Sequence, residues 1–265
     1  MKIAVIGAGN MGGAIVAGLA RSRGFNRENI SVSNPSTDKL DALAEAYDGI
    51  YTTTVNTEAV ISADLIILAV KPWLVEKVVR EIAPTLDFSC QMLMSLAAGV
   101  TLAQLGEWVG EYTDLEPILF RCMPNTAIAV GRSMTFISAS GATDDEIDSV
   151  RAVFDNLGRA DVIPETMLPA ATALCSCGIA YAMRYVRAAQ EGGVEMGFYP
   201  DRARDYVLQT MLGAVKLMMS TGNHPEVEID KVTTPGGVTI KGLNAMEEAG
   251  FSTSVIKGLR ASVKV

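Results

Sequence analysis

The chain has 265 residues and a formal net charge of −8, with 49% hydrophobic and 20% charged residues. These proportions indicate a globular protein rather than a disordered one, and the length favours one large domain or two unequal ones. The acidic balance argues against a nucleic-acid-binding protein, whose surface would be basic, so we expect a small-molecule partner. The 13 methionines favour more buried helix surface than a monomer needs, and hence an oligomer.

Four cysteines and a single histidine form no C-x-x-C pattern, and they predict no metal site. Unpaired thiols fit a reducing compartment, and "MKIAVIGAG" is typical of a strand and glycine turn rather than a signal peptide, so we expect a cytoplasmic protein. Uncharged runs at residues 88–106 and 166–183 contain glycine and hydroxyl or amide side chains. We interpret both runs as buried core and expect no membrane span.

In chain order, residues 2–122 alternate short apolar runs with amphipathic segments. The predicted strands are "KIAVIG", "ISVSN", "DLIILAV", "QMLMSLA" and "PILFRCM", and the predicted helices between them cover residues 11–23, 38–47, 73–82 and 101–108. This alternation predicts βαβ units and a parallel sheet. The run "DLIILAV" is apolar on both faces, as a central parallel strand must be.

After Gly141 the pattern becomes helical, beginning with a helix that Thr143 or Asp144 caps. We therefore predict an α/β fold class in two parts. Residues 1–163 are predicted to form an N-terminal Rossmann-type parallel-sheet domain, and residues 164–265 an all-helical C-terminal domain.

The sequence "GAGNMG" places Gly7, Gly9 and Gly12 in G-x-G-x-x-G register, directly between a strand and a helix. The first glycine allows the tight turn, the second lets the backbone approach a pyrophosphate, and the third allows close helix–strand packing. Asn10 and Met11 complete the loop, and the N-terminus of the helix faces the phosphates. We predict a dinucleotide site here, the alternative being an unliganded glycine turn.

The second strand ends in "SVSNPSTDK", without the acidic residue that usually holds the ribose 2′-hydroxyl of NAD. Asn34, Ser36, Thr37 and Lys39 can donate hydrogen bonds to a 2′-phosphate, so NADPH is favoured, with NADH as a possible cofactor. An ordinary strand-to-helix turn, with Asp38 as a first-turn charge, is the alternative.

Two further loops, "AVKPW" and "RCMPNT", follow strands at the sheet edge where ligands bind in open α/β folds. Lys71 can offer its ammonium to a phosphate or a ribose, and Asn125 can orient a carboxamide. Each is equally compatible with a solvated lysine or a turn asparagine.

Near the end of the chain, in "KVTTPGGVTIK", Gly236 and Gly237 precede a helix predicted over residues 238–249. Free amides at its N-terminus, beside the hydroxyls of Thr234 and Thr239, form a pocket for an anion such as a small carboxylate. A capped helix after a Pro-Gly turn is the alternative, but it leaves the clustered threonines unexplained.

The only histidine, His224, lies in a predicted turn, and we interpret it as structural. No Ser/His/Asp arrangement or Cys/His pair can be assembled. The chemistry must then demand little acid–base catalysis, as does hydride transfer to a protonated imine.

The motifs "GAGNMG", "AVKPW", "SLAAGV", "RCMPNT" and "TTPGGVTIKGL" occur in the order and spacing of the pyrroline-5-carboxylate reductase family, which the chain resembles over essentially its whole length. The resemblance implies NAD(P)H-dependent reduction of 1-pyrroline-5-carboxylate to L-proline, the last step of proline biosynthesis. It also implies a Rossmann domain followed by a helical dimerisation and substrate-binding domain. Homodimers in this family form through the C-terminal helices and often assemble into larger oligomers.

By motif position, the resemblance assigns the catalytic role to Thr239, whose hydroxyl would bond the substrate nitrogen and help to protonate it. Thr234 would lie near the substrate carboxylate, and Gly237 and Val238 would offer backbone amides next to Gly236.

Other positions follow from the same resemblance. Glu165 matches a family glutamate near the substrate, and Asn56 matches an asparagine on the adenosine ribose. The cofactor cleft would be lined by Val70, Lys71 and Ala97.

The chain departs from the family at two places. "CSCGIAY" stands where the family usually has Ser-Gly-Ser-Gly-Pro-Ala-Tyr, and Ala127 stands where "MPNTP" would put proline. Cysteine keeps the size of serine and weakens the hydrogen bond, so we expect the chemistry to survive. Two alternatives stay open: a reductase of another small cyclic imine carboxylate, and a non-catalytic NADP-binding sensor.

Overall fold

The computed structural model describes residues 1–263, which form two compact units. The first unit is Met1–Ser176, and the second begins at Cys177. The first contains every β-strand of the described chain, and the second consists of helices.

The first unit is built on an eight-stranded sheet. Its strands are β1 (Ile3–Ile6), β2 (Ile30–Ser33), β3 (Tyr51–Thr53), β4 (Leu65–Leu68), β5 (Met92–Ser95), β6 (Ile118–Met123), β7 (Ser133–Ser140) and β8 (Gly158–Val162). They lie in the order β3-β2-β1-β4-β5-β6-β7-β8, and all neighbours are parallel except the antiparallel pair β6 and β7.

Helices cover both faces of this sheet. They are α1 (Asn10–Arg21), α2 (Thr37–Ala46), α3 (Asn56–Val60), α4 (Val75–Ile82), α5 (Leu102–Val109) and α6 (Asp144–Asp155). Side chains alternate along β1, so that Ile3 and Val5 pack with α1, α2 and α6, while Ala4 and Ile6 pack with α3, α4 and α5. The central strands are therefore buried on both faces, which confirms the prediction of a Rossmann-type sheet.

The sheet is larger than the sequence predicted, and it is not entirely parallel. The strands β3, β7 and β8 were not predicted, and β7 returns antiparallel to β6 after a short turn that ends at Gly131, where φ is +66°. β3 has three residues with an exposed Tyr51, and β8 carries Arg159 and Asp161, so neither shows the apolar run of a central strand. The run "PILFRCM", the last strand predicted, is therefore followed in the sheet by two further strands.

The first unit continues past β8. The short helix α7 (Leu168–Ala171) and a π-helical turn (Thr172–Cys177) follow, and Leu168, Ala171 and Ala173 are buried. Ser176 Oγ donates a hydrogen bond to the carbonyl oxygen of Pro124 at 2.9 Å. The compact unit thus extends to Ser176, beyond the boundary placed after residue 163.

The second unit contains α8 (Gly178–Glu195), α9 (Pro200–Thr221), α10 (Pro225–Val232), α11 (Val238–Glu248) and α12 (Phe251–Ala261). Only Gly193, Ala203 and Glu228 are buried between residues 177 and 263. A Cβ on Gly193 would lie 3.0 Å from Ala203 Cβ, so this glycine lets α8 and α9 approach closely. Most apolar side chains of this unit face outward.

The two uncharged runs differ in burial. The run at 88–106 contains the buried strand β5, as predicted, but Leu174 and Met183 are each 60% exposed, so the run at 166–183 is not buried core within one chain. The helical stretch Glu165–Glu195 is long and apolar enough to cross a membrane by length and composition, a test that a core helix of a soluble protein also passes.

Gly158, at the start of β8, generates a test of the sheet edge. Its φ is +150°, and a Cβ there would lie 2.1 Å from the carbonyl oxygen of Ser133. We expect Gly158→Ala to lower the free energy of unfolding by about 2–4 kcal/mol, because it adds backbone strain and a backbone clash. Gly106→Ala in α5 is the control, since its Cβ would meet only Leu119 Cδ1 at 3.6 Å, and we expect it to stabilise by up to ~1 kcal/mol. Urea denaturation measures both, and equal stability of the two variants would contradict the prediction.

Candidate functional site

A groove of about 680 Å³ lies at the carboxyl edge of the sheet, where the strand order reverses around β1. Open α/β folds bind their ligands at this topological switch point. Eight predicted cofactor residues line the groove: Gly7, Gly9, Asn10, Met11, Asn34, Asn56, Val70 and Lys71. Gly12, Ser36, Ala97 and Asn125 do not line it, and their contact with a cofactor stays a prediction.

The glycine loop has the geometry that a pyrophosphate requires. Gly7 has a φ of +103°, and a Cβ on Gly12 would lie 1.9 Å from the carbonyl oxygen of Gly7 and 2.9 Å from Ala69 Cβ. A Cβ on Gly9 would meet nothing within 4 Å, so the groove is open at this point. The helix α1 begins without a side-chain cap or an acidic first turn, which leaves its amides and its positive dipole end for an anion.

Asn34, at the end of β2, connects the two loops beside the groove. Its Oδ1 accepts a hydrogen bond from the Ala8 amide at 3.1 Å, and its Nδ2 donates to the carbonyl and hydroxyl oxygens of Ser36 at 3.0 Å. Asn34 is therefore chiefly a support of the loop. The Ser36 hydroxyl accepts a hydrogen bond from Asn34, so its own O–H can donate to another acceptor. Lys39, three residues further along, lines the groove.

Asn56, at the start of α3, is fixed from two sides. Its Oδ1 accepts from Ser33 Oγ at 2.7 Å, and its Nδ2 donates to Glu81 Oε2 at 3.0 Å. Glu81 lines the groove together with Leu74, Lys77 and Val78. The sequence did not reveal these residues, because α4 and the turn before it have the pattern of an ordinary amphipathic surface helix. The spacing of Lys77 and Glu81, four residues apart on one face, was the available signal.

The opposite end of the groove is apolar, with Leu96, Met123 and Pro124 as its lining. Asn125, next along the chain, is buried, and its Oδ1 accepts from the Ala127 amide at 3.0 Å. It therefore caps the turn that follows, and within residues 1–263 its Nδ2 has no hydrogen-bond partner. Ala97 is buried and donates its amide to Ser95 Oγ at 3.2 Å.

Cys175 is the first residue of "CSCGIAY", the segment in which the sequence departs from the family pattern. It lies in the π-helical turn next to Ser176, which bonds Pro124 at this apolar end. Partial burial raises the pKa of the Cys175 thiol, so it remains protonated at neutral pH and is a poor nucleophile.

Glu165 has a structural role within the first unit. Its Oε1 accepts from Arg121 Nη1 at 2.8 Å and from the Leu102 amide, at the start of α5, also at 2.8 Å. Arg121 is buried in β6, so this carboxylate neutralises a cation that would otherwise be unpaired among the residues described. Its contact with substrate stays a prediction.

The remaining predicted substrate residues belong to one turn of the second unit. The Gly237 amide donates to the Thr234 carbonyl at 2.9 Å, and Gly236 has a φ of +72°. A Cβ on Gly237 would crowd Thr234, at 2.5 Å from its Oγ1 and 3.0 Å from its carbonyl oxygen, so the turn favours glycine there. Gly237 is the N-cap of α11, without a side-chain cap or an acidic residue in the first turn. The amides of Val238 and Thr239 are thus free for an anion beside the Thr239 hydroxyl.

The helix before this turn is held by a buried carboxylate. Glu228 accepts from Asn223 Nδ2 at 2.7 Å and from Lys231 Nζ at 2.8 Å. The Lys231 ammonium, with Asn223 as a second donor, holds the pKa of the Glu228 carboxyl below its usual value. His224 is the N-cap of α10, with Nδ1 accepting from the Glu226 amide at 3.3 Å, as its structural interpretation predicted.

Taken separately, the two units supply different chemistry. The groove of the first can hold a dinucleotide by its phosphates, and the turn of the second can hold a small anion next to a hydroxyl donor. Within residues 1–263, no group of three or more His, Cys, Asp and Glu side chains could hold a metal ion.

Comparison with known proteins gives a match for each part of the chain. Residues 165–265 match the family model described as pyrroline-5-carboxylate reductase dimerisation, and residues 2–99 match one described as NADP oxidoreductase, coenzyme F420-dependent. Pyrroline-5-carboxylate reductase 1 of Dictyostelium discoideum is 35% identical over 98% of the chain, which spans about half (48%) of that relative's length. Pyrroline-5-carboxylate reductase 2 of the same organism is 32% identical over 99% of the chain and 91% of its own length.

A solved structure of a pyrroline carboxylate reductase is also similar to this chain. The crystal structure of Plasmodium falciparum pyrroline carboxylate reductase, with NADP bound, superposes with a TM-score of 0.88. Its sequence is 26% identical, and the match covers 99% of this chain and 95% of the other.

The glycine loop gives a sharp test of the groove. We expect Gly12→Ala to reduce NADPH binding by more than about tenfold, because its Cβ would overlap the Gly7 carbonyl and displace α1 from the phosphates. Gly13→Ala is the matched control, since its Cβ would lie 3.6 Å from the Ala8 oxygen, an ordinary contact. Isothermal titration of NADPH into each variant measures the effect. Equal affinities would show that the groove does not bind the pyrophosphate.

Proposed function

Because the chain belongs to the pyrroline-5-carboxylate reductase family, we propose that it reduces 1-pyrroline-5-carboxylate to L-proline with NADPH. The observation that carries this proposal is the uncapped N-terminus of α11, which combines free amides with the Thr239 hydroxyl. An anion site beside one hydroxyl suits a small imine that carries a carboxylate. The same chain has the dinucleotide groove that such a reduction needs.

The groove residues fit a nicotinamide dinucleotide. When bound, NADPH supplies the hydride for the imine carbon, while the imine nitrogen takes up one proton. The amides at the start of α1 hold the pyrophosphate, and Asn56, fixed by Ser33 and Glu81, contacts the adenosine ribose. The apolar residues Leu96 and Met123 exclude water from the nicotinamide end.

The substrate residues act mainly by orientation. The Gly237 amide is already bonded to the Thr234 carbonyl, so the free amides of Val238 and Thr239 hold the carboxylate together with the Thr234 hydroxyl, in place of the Gly237 amide that the sequence suggested. The Thr239 hydroxyl donates to the imine nitrogen. A donor at the nitrogen stabilises the charge that changes there during hydride transfer. Glu165 contributes by holding Arg121 and the start of α5 in place.

The reaction is tested by the consumption of NADPH with purified protein and 1-pyrroline-5-carboxylate, with the six-membered cyclic imine run in parallel. We expect Thr239→Val to lower kcat by about 10²-fold while the affinity for NADPH is kept, because it removes one donor and no volume. Thr239→Ser restores the hydroxyl and is the control. If the unaltered protein binds NADPH but does not turn over the imine, the proposed activity is refuted and a non-catalytic sensor is favoured. Faster turnover of the six-membered imine would show that this imine, rather than 1-pyrroline-5-carboxylate, is the preferred substrate.

We also propose that the chain forms a homodimer through the helices of its second unit. This proposal is supported by the dimerisation family that matches residues 165–265 and by the scarcity of buried residues in this unit. Leu208, Leu212, Val215 and Met219 lie on one face of α9 and are 44–80% exposed. A second copy, rather than lipid, would bury this stripe and the exposed apolar side chains of α8. Further assembly of dimers is part of the same proposal.

Light scattering tests the dimer. We expect the unaltered protein to have twice the mass of one chain, and Leu212→Glu to form monomers because a carboxylate cannot be buried without a partner. Gln209→Glu, on the same helix but outside the stripe, is the control. A monomeric unaltered protein would contradict the proposal, and a dimeric Leu212→Glu variant would exclude the α9 stripe as the interface.

We propose a cytoplasmic location. All four cysteines are free, as expected of a protein in a reducing compartment. Cell fractionation tests this proposal.

A further inference from the structure

The groove has an excess of positive charge. Three lysines line it, namely Lys39, Lys71 and Lys77, against the single carboxylate of Glu81. Within residues 1–263, none of these three ammonium groups has an ion-pair partner. The other cation of α4, Arg80, is by contrast bonded to Glu76 at 3.0 Å and also to Glu111. Unpaired like charges that share one groove favour an anionic ligand.

The strand order divides the groove into two ends. The glycine loop after β1 lies in the middle, with residues after β2 on one side and residues after β5 and β6 on the other. In this fold the second strand ends at the adenosine ribose, so the β2 side holds the adenosine. The apolar side, with Leu96 and Met123, then holds the nicotinamide.

Lys77 belongs to the adenosine end. Glu81 bonds Asn56, and Asn56 bonds Ser33 at the end of β2, so this face of α4 looks toward β2. Lys77 is one helical turn before Glu81 on the same face and therefore lies closer to the carboxyl edge of the sheet. Lys39, in the first turn of α2, lines the same groove from the β2 side.

We propose that Lys77, together with Lys39, binds the 2′-phosphate of NADP and determines the preference for the phosphorylated dinucleotide. This inference rests on the proposed function, since it takes NADPH as the cofactor. The charges at the adenosine end explain why a second lysine is needed. Glu81 offsets the charge of one lysine and would repel a phosphate, so Lys77 adds positive charge beside Lys39 at this end of the groove. A ribose that carries only hydroxyls does not need this charge.

The experiment measures binding without turnover, so that it is independent of whether the chain reduces any imine. Adenosine 2′,5′-bisphosphate and 5′-AMP are titrated into the full chain by calorimetry, because they differ only in the 2′-phosphate. We expect Lys77→Met, which keeps the apolar stem, to weaken binding of the bisphosphate by about tenfold. Binding of 5′-AMP should weaken by less than about twofold. Lys77→Arg, which keeps the charge, should retain most of the preference.

The control is Lys2→Met, which removes the same charge at the opposite edge of the sheet and should change neither affinity. Circular dichroism confirms that each variant is folded. Equal weakening of both probes would overturn the inference, because Lys77 would then contact the adenine or the 5′-phosphate. Unchanged binding of the bisphosphate would also overturn it. A chain that is inactive on 1-pyrroline-5-carboxylate but loses its preference with Lys77→Met would support the inference while refuting the proposed function.

Discussion

The contact between Gly12 and the Gly7 carbonyl determines where the ligand groove forms. At 1.9 Å from that oxygen, no Cβ can be placed on Gly12, so α1 can start directly above the turn only because both residues are glycine. The first amides of α1 therefore point into the space at the carboxyl edge of β1. Asn34 fixes the neighbouring β2 loop to the same turn through the Ala8 amide. A larger residue at position 12 would move the helix, the amides and this link together.

The two units differ in how many apolar side chains they bury within one chain. The first buries a core on each face of its sheet, and its alternating side chains need nothing from another chain. The second buries three residues between positions 177 and 263 and leaves aliphatic and aromatic side chains exposed along its helices. Burial of apolar surface is the main favourable term in folding, so in the proposed dimer a second copy would supply much of the stability of this unit. The proposed dimer would thus stabilise the unit that carries the α11 turn.

Sequence alone predicted what depends on local physical chemistry. The glycine loop, the buried strands β1, β4 and β5, and the turn before α11 each have a periodicity or a backbone requirement that is visible in a few residues. The edge strand β3 and the outer pair β7 and β8 were missed, because short or polar strands gain their stability from neighbours distant in sequence. Lys77 and Glu81 were missed because charged residues on an amphipathic helix look like a solvated face until the fold brings them to a groove.

The pair of Arg121 and Glu165 shows how the first unit incorporates residues that follow its last strand. Arg121 is buried in β6, and an unpaired guanidinium there would cost more than most single contacts contribute. Glu165 neutralises it and also caps α5 through the Leu102 amide. The loop between β5 and α5 begins at Leu96 in the groove lining, so one carboxylate fixes both this loop and the segment after β8. A residue that the sequence suggests for the substrate is thus a structural support of the groove.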